Sequence, residues 1–269
     1  MAAGDLVVTD LDGTLWHLEN EIHPTALAAL RQVVASSTPL LVATGRRRGA
    51  TLRPLGPLGV LPPAVVLNGA IGVDLATQKR FHAEPFIPDH AVAVLTAFRD
   101  VGLDPCLYVE EPDCEVVVSA APSTSRHHLE SLADAVRTGD LDRLARDEPV
   151  FMFSLIGLPH GQLAAAAEQI AGLAETHLDR SFDVPGTATI TVAPLGRSKW
   201  KGVQAWCRYA GFSPKRVIAL GDGPNDVELL SRADLSLVPE GAHPAALKLA
   251  DHVIPKPNEG GWAALLDHL

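Results

Sequence analysis

The stretch LVVTDLDGTL, residues 6–15, is the part of the sequence that most strongly indicates the fold. Its first four residues, Leu6 to Thr9, are apolar or β-branched and predict a buried strand. Asp10 and Asp12 follow directly, and Gly13 then allows the chain to turn. Because side chains two residues apart in an extended chain point the same way, both carboxylates begin on one side of the strand end.

Two carboxylates in this position repel each other. At about 4 Å and an effective dielectric constant of roughly 20, the repulsion is about 4 kcal/mol. A divalent cation would offset this repulsion, and so would a proton held or shared by one carboxyl group. Either arrangement indicates a chemically active site. In the structural alternative, Asp10 and Asp12 only accept hydrogen bonds from backbone N–H groups of a turn.

Composition limits the classes of partner. The chain has 269 residues, which predicts one large or two moderate domains, and its net charge of −10 argues against nucleic acids and anionic membranes as partners. Three cysteines without metal-ligand spacing, Cys106, Cys114 and Cys207, indicate reduced thiols. No basic segment leads into an apolar run at the N-terminus, and no apolar stretch approaches about 18 residues, which predicts a soluble cytoplasmic protein.

Strands and helices alternate over residues 1–75. The spacing predicts a helix over 24–35 and short apolar strands over 39–43 and 64–67. Thr44, Gly45 and Arg46 follow the second strand, and Asn68 follows the third. Alternation of this kind predicts a parallel sheet with a site outside the carboxyl ends of its strands, so we expect Asp10, Thr44 and Asn68 to lie close together.

The pattern changes from residue 76 to residue 193. Strands are predicted over 80–87, 105–109, 114–119, 150–157 and 187–193, and helices over 90–101 and 162–175, with helix-like spacing within 123–148. Irregular alternation predicts an α+β module, inserted between two halves of the first domain.

The alternation resumes over residues 194–269. Ser198 is a predicted N-cap for a helix from Lys199 to Ala210, which Gly211 ends. A strand over 217–220 then ends in GDGPND, residues 221–226. The sequence therefore predicts a second acidic cluster at a strand end, which favours the chemical interpretation of the first.

Four motifs in this order resemble those of the haloacid dehalogenase superfamily of phosphohydrolases. They are Asp10 to Thr14, Thr44 to Arg46, Lys199, and Gly221 to Asp226. The insertion between the second and third motifs resembles the Cof-type branch. The resemblance implies an α/β fold with a Rossmann-like parallel-sheet core, residues 1–75 and 194–269, and an inserted α+β cap domain that selects the substrate, residues 76–193.

The resemblance also implies residue roles. Asp10 would be the nucleophile that forms an aspartyl-phosphate, and Asp12 would protonate the leaving alcohol and then activate water. Mg²⁺ would be bound by the side chains of Asp10 and Asp222 and the backbone carbonyl of Asp12, with Asp226 nearby as a ligand or support. A purely structural Asp226 at a helix start is the alternative.

The remaining expected residues bind phosphate. By resemblance, Thr44 and Lys199 complete the catalytic set, and the others that contact phosphate are Gly45, Arg46, Asn68 and Asn225. The alternatives are that Asn68 only caps a turn and that Asn225 supports its loop. Lys201 is an alternative to Lys199, because Gly202 follows it and a glycine commonly follows the corresponding lysine of the Cof-type branch.

The resemblance implies a Mg²⁺-dependent phosphatase that acts on a small phosphorylated metabolite such as a sugar phosphate, as a monomer or a homodimer. A phosphomutase of the same superfamily and a non-catalytic regulator that binds a phosphorylated metabolite are the alternatives. The intact set of Asp10, Asp12, Lys199 and Asp222 argues against the regulator, which needs no nucleophile.

Overall fold

The computed structural model describes residues 4–17, 20–111, 114–181 and 184–269. Its strands, in chain order, are β1 (Asp5–Thr9), β2 (Leu40–Ala43), β3 (Pro63–Val66), β4 (Ile71–Asp74), β5 (Arg80–Ala83), β6 (Cys106–Glu111), β7 (Cys114–Val118), β8 (Val136–Thr138), β9 (Met152–Leu158), β10 (Glu175–Arg180), β11 (Ala188–Ala193), β12 (Arg216–Leu220), β13 (Leu235–Pro239) and β14 (His252–Ile254). Its α-helices are α1 (Pro24–Ala35), α2 (Arg48–Leu55), α3 (Pro88–Asp100), α4 (Arg126–Leu132), α5 (Leu141–Asp147), α6 (His160–Ile170), α7 (Lys199–Ala210), α8 (Val227–Arg232) and α9 (Pro244–Leu247). A 3₁₀ segment, Gly261–His268, follows β14 near the end of the chain. Of the helices described, none has the length and apolarity needed to span a membrane.

The chain forms two compact units, Met1–Ala83 with Ser198–Leu269, and Glu84–Arg197. These boundaries differ from the expected 1–75, 76–193 and 194–269. The first differs because β5 pairs antiparallel with β4 and so extends the sheet of the first unit. The predicted strand over 80–87 is therefore divided: its first four residues form β5 in the first unit, and residues 84–87 lie in the second unit.

The first unit contains an eight-stranded sheet in the order β14-β13-β12-β1-β2-β3-β4-β5. The strands from β14 to β3 are parallel, whereas β4 pairs antiparallel with β3 and β5 pairs antiparallel with β4. β1 lies between β12 and β2, with Thr9 opposite both Leu220 and Val42. The expected α/β fold with a parallel-sheet core is confirmed, and the loops after β1, β2 and β12 leave the sheet side by side.

The second unit contains a six-stranded sheet in the order β10-β11-β9-β6-β7-β8. Its core includes Phe98 and Phe153 and joins residues of α3, α5 and α6 to the sheet. The sequence did not predict β8 or β10. β10, residues 175–180, is a half-buried strand rich in polar residues, so it has no apolar run to reveal it. The helix predicted over 162–175 ends at Ile170 for this reason, and the stretch 123–148 contains α4, β8 and α5.

α7 lies against the sheet of the first unit at a glycine. A Cβ atom on Gly202 would lie 2.2 Å from Cγ1 of Val65 in β3, much closer than atoms pack. Gly202 therefore permits a close approach of helix and strand that positions the first turn of α7.

We expect Gly202→Ala to lower the free energy of unfolding by about 1–3 kcal/mol, because overpacking against Val65 outweighs the gain in helix propensity of about 1 kcal/mol. Gly161→Ala is the matched control, since a Cβ on this α6 glycine meets nothing within 4 Å. Thermal unfolding followed by circular dichroism should show a lower midpoint for Gly202→Ala than for the wild type. The midpoint of the control should not be lowered. A midpoint that Gly202→Ala leaves unchanged would contradict the packing argument.

Candidate active site

Three buried carboxylates meet beyond the ends of β1 and β12. Asp10 follows β1, and Asp222 and Asp226 follow β12, and one carboxylate oxygen from each lies within 4.8 Å of the other two. The parallel register of β1 and β12 brings the two loops together.

Lys199 lies between two of these carboxylates. Its Nζ is 2.9 Å from Oδ2 of Asp10 and 2.7 Å from Oδ1 of Asp226, and its side chain is fully buried. Lys201, two residues further along α7, is exposed. The structure thus brings Lys199 to the acidic cluster and leaves its alternative, Lys201, outside it.

The position of Lys199 depends on a glycine in another loop. Ser198 caps α7 by accepting a hydrogen bond from the backbone N–H of Lys201, and Lys199 is the first residue of the helix. Gly69 has a φ of +104°, and a Cβ there would lie 2.1 Å from the Ser198 carbonyl oxygen. Only glycine fits here, because it both adopts this backbone conformation and allows the two chains to touch.

Burial and charge shift the pKa values of the cluster. Burial raises the pKa of Asp10 to about 7, with further contributions from the negative charges of Asp226 and Asp12, while Lys199 lowers it. Burial and the neighbouring carboxylates raise the pKa of Asp222 well above its usual value. Burial by itself would lower the pKa of Lys199, but the charges of Asp10 and Asp226 outweigh this and raise it. One lysine therefore does not balance the negative charge of the cluster.

The hydrogen bonds distinguish the three carboxylates. Asp226 uses both oxygens within the protein, because Oδ1 binds Lys199 and Oδ2 accepts from the backbone N–H groups of Asp222 (3.0 Å) and Gly223 (2.9 Å). Asp222 accepts at Oδ1 from the Thr14 hydroxyl (3.0 Å). Oδ1 of Asp10 is buried without a hydrogen-bond partner among the described residues. The cluster therefore has oxygen atoms available for a cation on Asp10 and Asp222, while Asp226 supports the loop.

This donor set fits a hard divalent cation. Carboxylate oxygens are the ligands that Mg²⁺ prefers, and a cation would both occupy the buried Oδ1 of Asp10 and offset the repulsion that raises the pKa values. Gly13 keeps space at Asp222, because a Cβ on Gly13 would lie 2.2 Å from Oδ2 of that residue.

The residues expected to bind phosphate form one connected set of loops. Thr44 is buried, and its carbonyl oxygen accepts from the backbone N–H of Asn68 (3.2 Å). Asn225 donates through Nδ2 to Oδ1 of Asn68 (2.9 Å), and a Cβ on Gly45 would lie 3.0 Å from the same oxygen. Asn68 has a φ of 54°, in the left-handed region that costs a non-glycine residue energy. The loops after β2, β3 and β12 are thus fixed to one another beside Asp10.

The side chains of Arg46 and Asp12 bind each other rather than the residues of this set. The Arg46 guanidinium binds both carboxylate oxygens of Asp12 through Nε and Nη2. The Asp12 side chain therefore turns to Arg46 rather than into the acidic cluster. The sequence placed Arg46 near phosphate and did not predict this pair, since nothing in the local pattern joins residues 34 positions apart.

Two further residues support Asp10 without any local signal in the sequence. The indole Nε1 of Trp262 donates to Oγ1 of Thr9 (2.9 Å), and that hydroxyl donates to the Asp10 carbonyl oxygen (2.7 Å). Trp262 is fully buried and 253 positions from Thr9, so only the folded chain reveals the contact.

Comparisons with known proteins show the family of this chain and its relatives. The family model of the haloacid dehalogenase-like hydrolases matches residues 7–266. Among curated relatives, the chain is 23% identical to the pyridoxal phosphate phosphatase YbhA of Escherichia coli, covering 93% of this chain and 92% of the relative. It is 25% identical to a phosphoglycolate phosphatase of Methanopyrus kandleri, covering 98% and 96%. An HMP-PP phosphatase of Serratia proteamaculans is 26% identical over 89% of this chain and 85% of its own.

Solved structures share the fold. A haloacid dehalogenase-like hydrolase from B. subtilis superposes with a TM-score of 0.81 at 18% identity, covering 98% of this chain and 99% of its own. A sugar phosphatase described as subclass IIB of the same superfamily superposes with a TM-score of 0.78 at 20% identity, covering 98% of each chain.

Proposed function

The chain belongs to the haloacid dehalogenase-like hydrolases, and on this premise we propose that it is a Mg²⁺-dependent phosphatase acting through an aspartyl-phosphate. The observation that carries the proposal is the state of Asp10. Its buried carboxylate binds Lys199 through one oxygen, has no hydrogen-bond partner at the other within the described chain, and lies beside Asp222. A nucleophile needs this combination of fixed position and available oxygen.

In the first step, a carboxylate oxygen of Asp10 attacks phosphorus and the bond from phosphorus to the alcohol oxygen breaks. Asp12 gives its proton to the departing oxygen, which avoids an alkoxide product. Lys199 supplies positive charge next to Asp10, where the negative phosphoryl group arrives, and the Thr44 hydroxyl is a further donor to it.

In the second step, water attacks phosphorus and the bond to Asp10 breaks. Asp12, now ionised, takes the proton from this water, so that phosphate leaves and both carboxyl groups return to their starting states. No other base is needed, because the proton that Asp12 takes from water replaces the one that it gave to the alcohol.

Mg²⁺ would be held by Asp10, Asp222 and the backbone carbonyl of Asp12, with Asp226 fixing the Asp222 loop through its backbone hydrogen bonds. When bound, it supplies positive charge that offsets repulsion between the nucleophile and the phosphate dianion.

The substrate class is a small phosphorylated metabolite. The relatives are named for pyridoxal phosphate, phosphoglycolate and HMP-PP, which share a phosphate group and little else. All the residues assigned here to the reaction lie in Met1–Ala83 and Ser198–Leu269. We therefore assign selection of the rest of the substrate to the inserted unit, Glu84–Arg197, in the role of a cap domain.

Hydrolysis of 4-nitrophenyl phosphate, with Mg²⁺ and after metal removal by a chelator, tests the proposal. We expect 4-nitrophenol release with Mg²⁺ and background rates without it, restored when Mg²⁺ is added back. Equal rates with and without metal would contradict the metal requirement. Binding without turnover would favour the regulator, and turnover of a sugar phosphate only with a bisphosphate activator would favour the phosphomutase.

A further inference from the structure

Asp12 is held by two side chains that the proposed reaction does not yet use. Its Oδ1 accepts hydrogen bonds from Nε1 of Trp16 (3.0 Å) and from Nη2 of Arg46, and its Oδ2 accepts from Nε of Arg46. The guanidinium also lies over the Trp16 ring, 5.0 Å from its centroid. We call the side chains of Asp12, Trp16 and Arg46 the Asp12 clamp.

The backbone brings Trp16 back onto Asp12. The N–H groups of Thr14, Leu15 and Trp16 all donate to the Leu11 carbonyl oxygen, at 2.9 to 3.2 Å. The carbonyl oxygen of Trp16 accepts in turn from the backbone N–H of Gly13 (2.8 Å), whose φ of +76° favours glycine. This tight loop buries the indole completely.

Arg46 is fixed as firmly as Trp16. Its Nη1 donates to the Ala50 carbonyl oxygen (3.2 Å) in α2, and its backbone N–H donates to the Thr44 hydroxyl (3.1 Å). The two-pronged contact with a carboxylate, the stacking on an indole and the anchored guanidinium restrict Asp12 to one orientation. An ordinary surface ion pair has none of these restraints.

The contacts leave one open position on the carboxyl group. A carboxylate has about four lone-pair sites, two on each oxygen. Trp16 and Arg46 occupy both sites of Oδ1, and Arg46 occupies one site of Oδ2. Within the described chain, the remaining site of Oδ2 is the one where a proton can reside.

We propose that Trp16 and Arg46 are positioning residues that fix Asp12 so that Oδ2 is the atom that exchanges the proton. This inference rests on the proposed function. As the phosphorus–oxygen bond to the alcohol breaks, the proton passes from Oδ2 of Asp12 to the alcohol oxygen. In the second step, a proton passes from the attacking water to the same Oδ2.

The test compares esters that differ in how much they need an acid. 2,4-Dinitrophenyl phosphate has a stable leaving group and needs little protonation, whereas phenyl phosphate needs it. The measured quantity is kcat/KM, which reports phosphoryl transfer to Asp10 and excludes the later water step. We expect Trp16→Phe, which keeps the stacked ring and removes the N–H donor, to lower kcat/KM for phenyl phosphate by about tenfold. For 2,4-dinitrophenyl phosphate we expect a change of less than about twofold.

Arg46→Lys and Asp12→Asn complete the series. Arg46→Lys keeps the charge and loses the two-pronged contact, so we expect its kcat/KM to fall more for phenyl phosphate than for 2,4-dinitrophenyl phosphate. Asp12→Asn should lower kcat/KM for phenyl phosphate by about 100-fold or more. Arg53→Lys is the control, since Arg53 is an exposed residue of α2 outside the clamp. The ratio of the two kcat/KM values within one preparation does not depend on the folded fraction, so a partly misfolded variant still gives an answer.

An active wild type whose Trp16→Phe and Arg46→Lys variants lose equally on both esters, or lose nothing, overturns the positioning role alone. A wild-type protein that hydrolyses neither ester with Mg²⁺ overturns the proposed function and this inference with it.

Discussion

Asp10→Asn is expected to lower phosphatase turnover by about 10⁴-fold or more, since the loss of a nucleophile removes the whole covalent route. The amide has the same shape as the carboxylate but attacks phosphorus poorly. The fold should not suffer, because the pKa of about 7 shows that the ionised Asp10 is disfavoured by burial and by its acidic neighbours. We expect the metal-free variant to be at least as stable as the wild type near pH 8.

Steady-state hydrolysis of 4-nitrophenyl phosphate and thermal unfolding of the same samples measure both effects. Cys207→Ser, a conservative change at a half-buried thiol outside the site, is a suitable control for handling and should retain activity. Residual turnover within about tenfold of wild type would show that Asp10 is not the nucleophile.

Lys199→Met is expected to have the second largest effect. Methionine fills much of the volume but removes the positive charge between Asp10 and Asp226, which leaves the buried carboxylates uncompensated. We expect a loss of about 3–5 kcal/mol in the free energy of unfolding and of about 10²- to 10³-fold in kcat. Mg²⁺ should recover part of the stability, because it supplies positive charge to the same carboxylates.

Lys201→Met is the matched control on the same helix, since that side chain is exposed. Chemical denaturation with and without Mg²⁺, together with steady-state kinetics, distinguishes the two lysines. If Lys201→Met rather than Lys199→Met abolished activity, the assignment made from the buried contacts would be wrong.

The sequence predicted the centre of the fold because the relevant signals are local. Apolar strands that run into Asp10, Thr44 and Asp222 indicate a parallel sheet whose carboxyl ends share one edge, and the structure has this arrangement. The prediction that the chain resembles haloacid dehalogenase-like hydrolases is confirmed by the family match over residues 7–266.

The sequence failed where contacts join distant residues or where burial is partial. β10 is half-buried and polar, so periodicity did not reveal it, and β5 belongs to the first unit through a pairing that no local pattern encodes. The same reason hid the bond between Trp262 and Thr9. The sequence favoured Lys199 and kept Lys201 as an alternative, because both occupy the first turn of one helix; the structure adds that Lys199 contacts the acidic cluster.

Peptide mass spectrometry can detect the proposed covalent intermediate on Asp10. Acid-quenched protein taken during turnover of 2,4-dinitrophenyl phosphate with Mg²⁺ should carry one phosphoryl group on the peptide that contains Asp10. The label should increase in Asp12→Asn, which slows the attack of water, and disappear in Asp10→Asn. Continuing turnover with no phosphoryl group on Asp10 in any of these samples, or with the group on another residue, would contradict the mechanism.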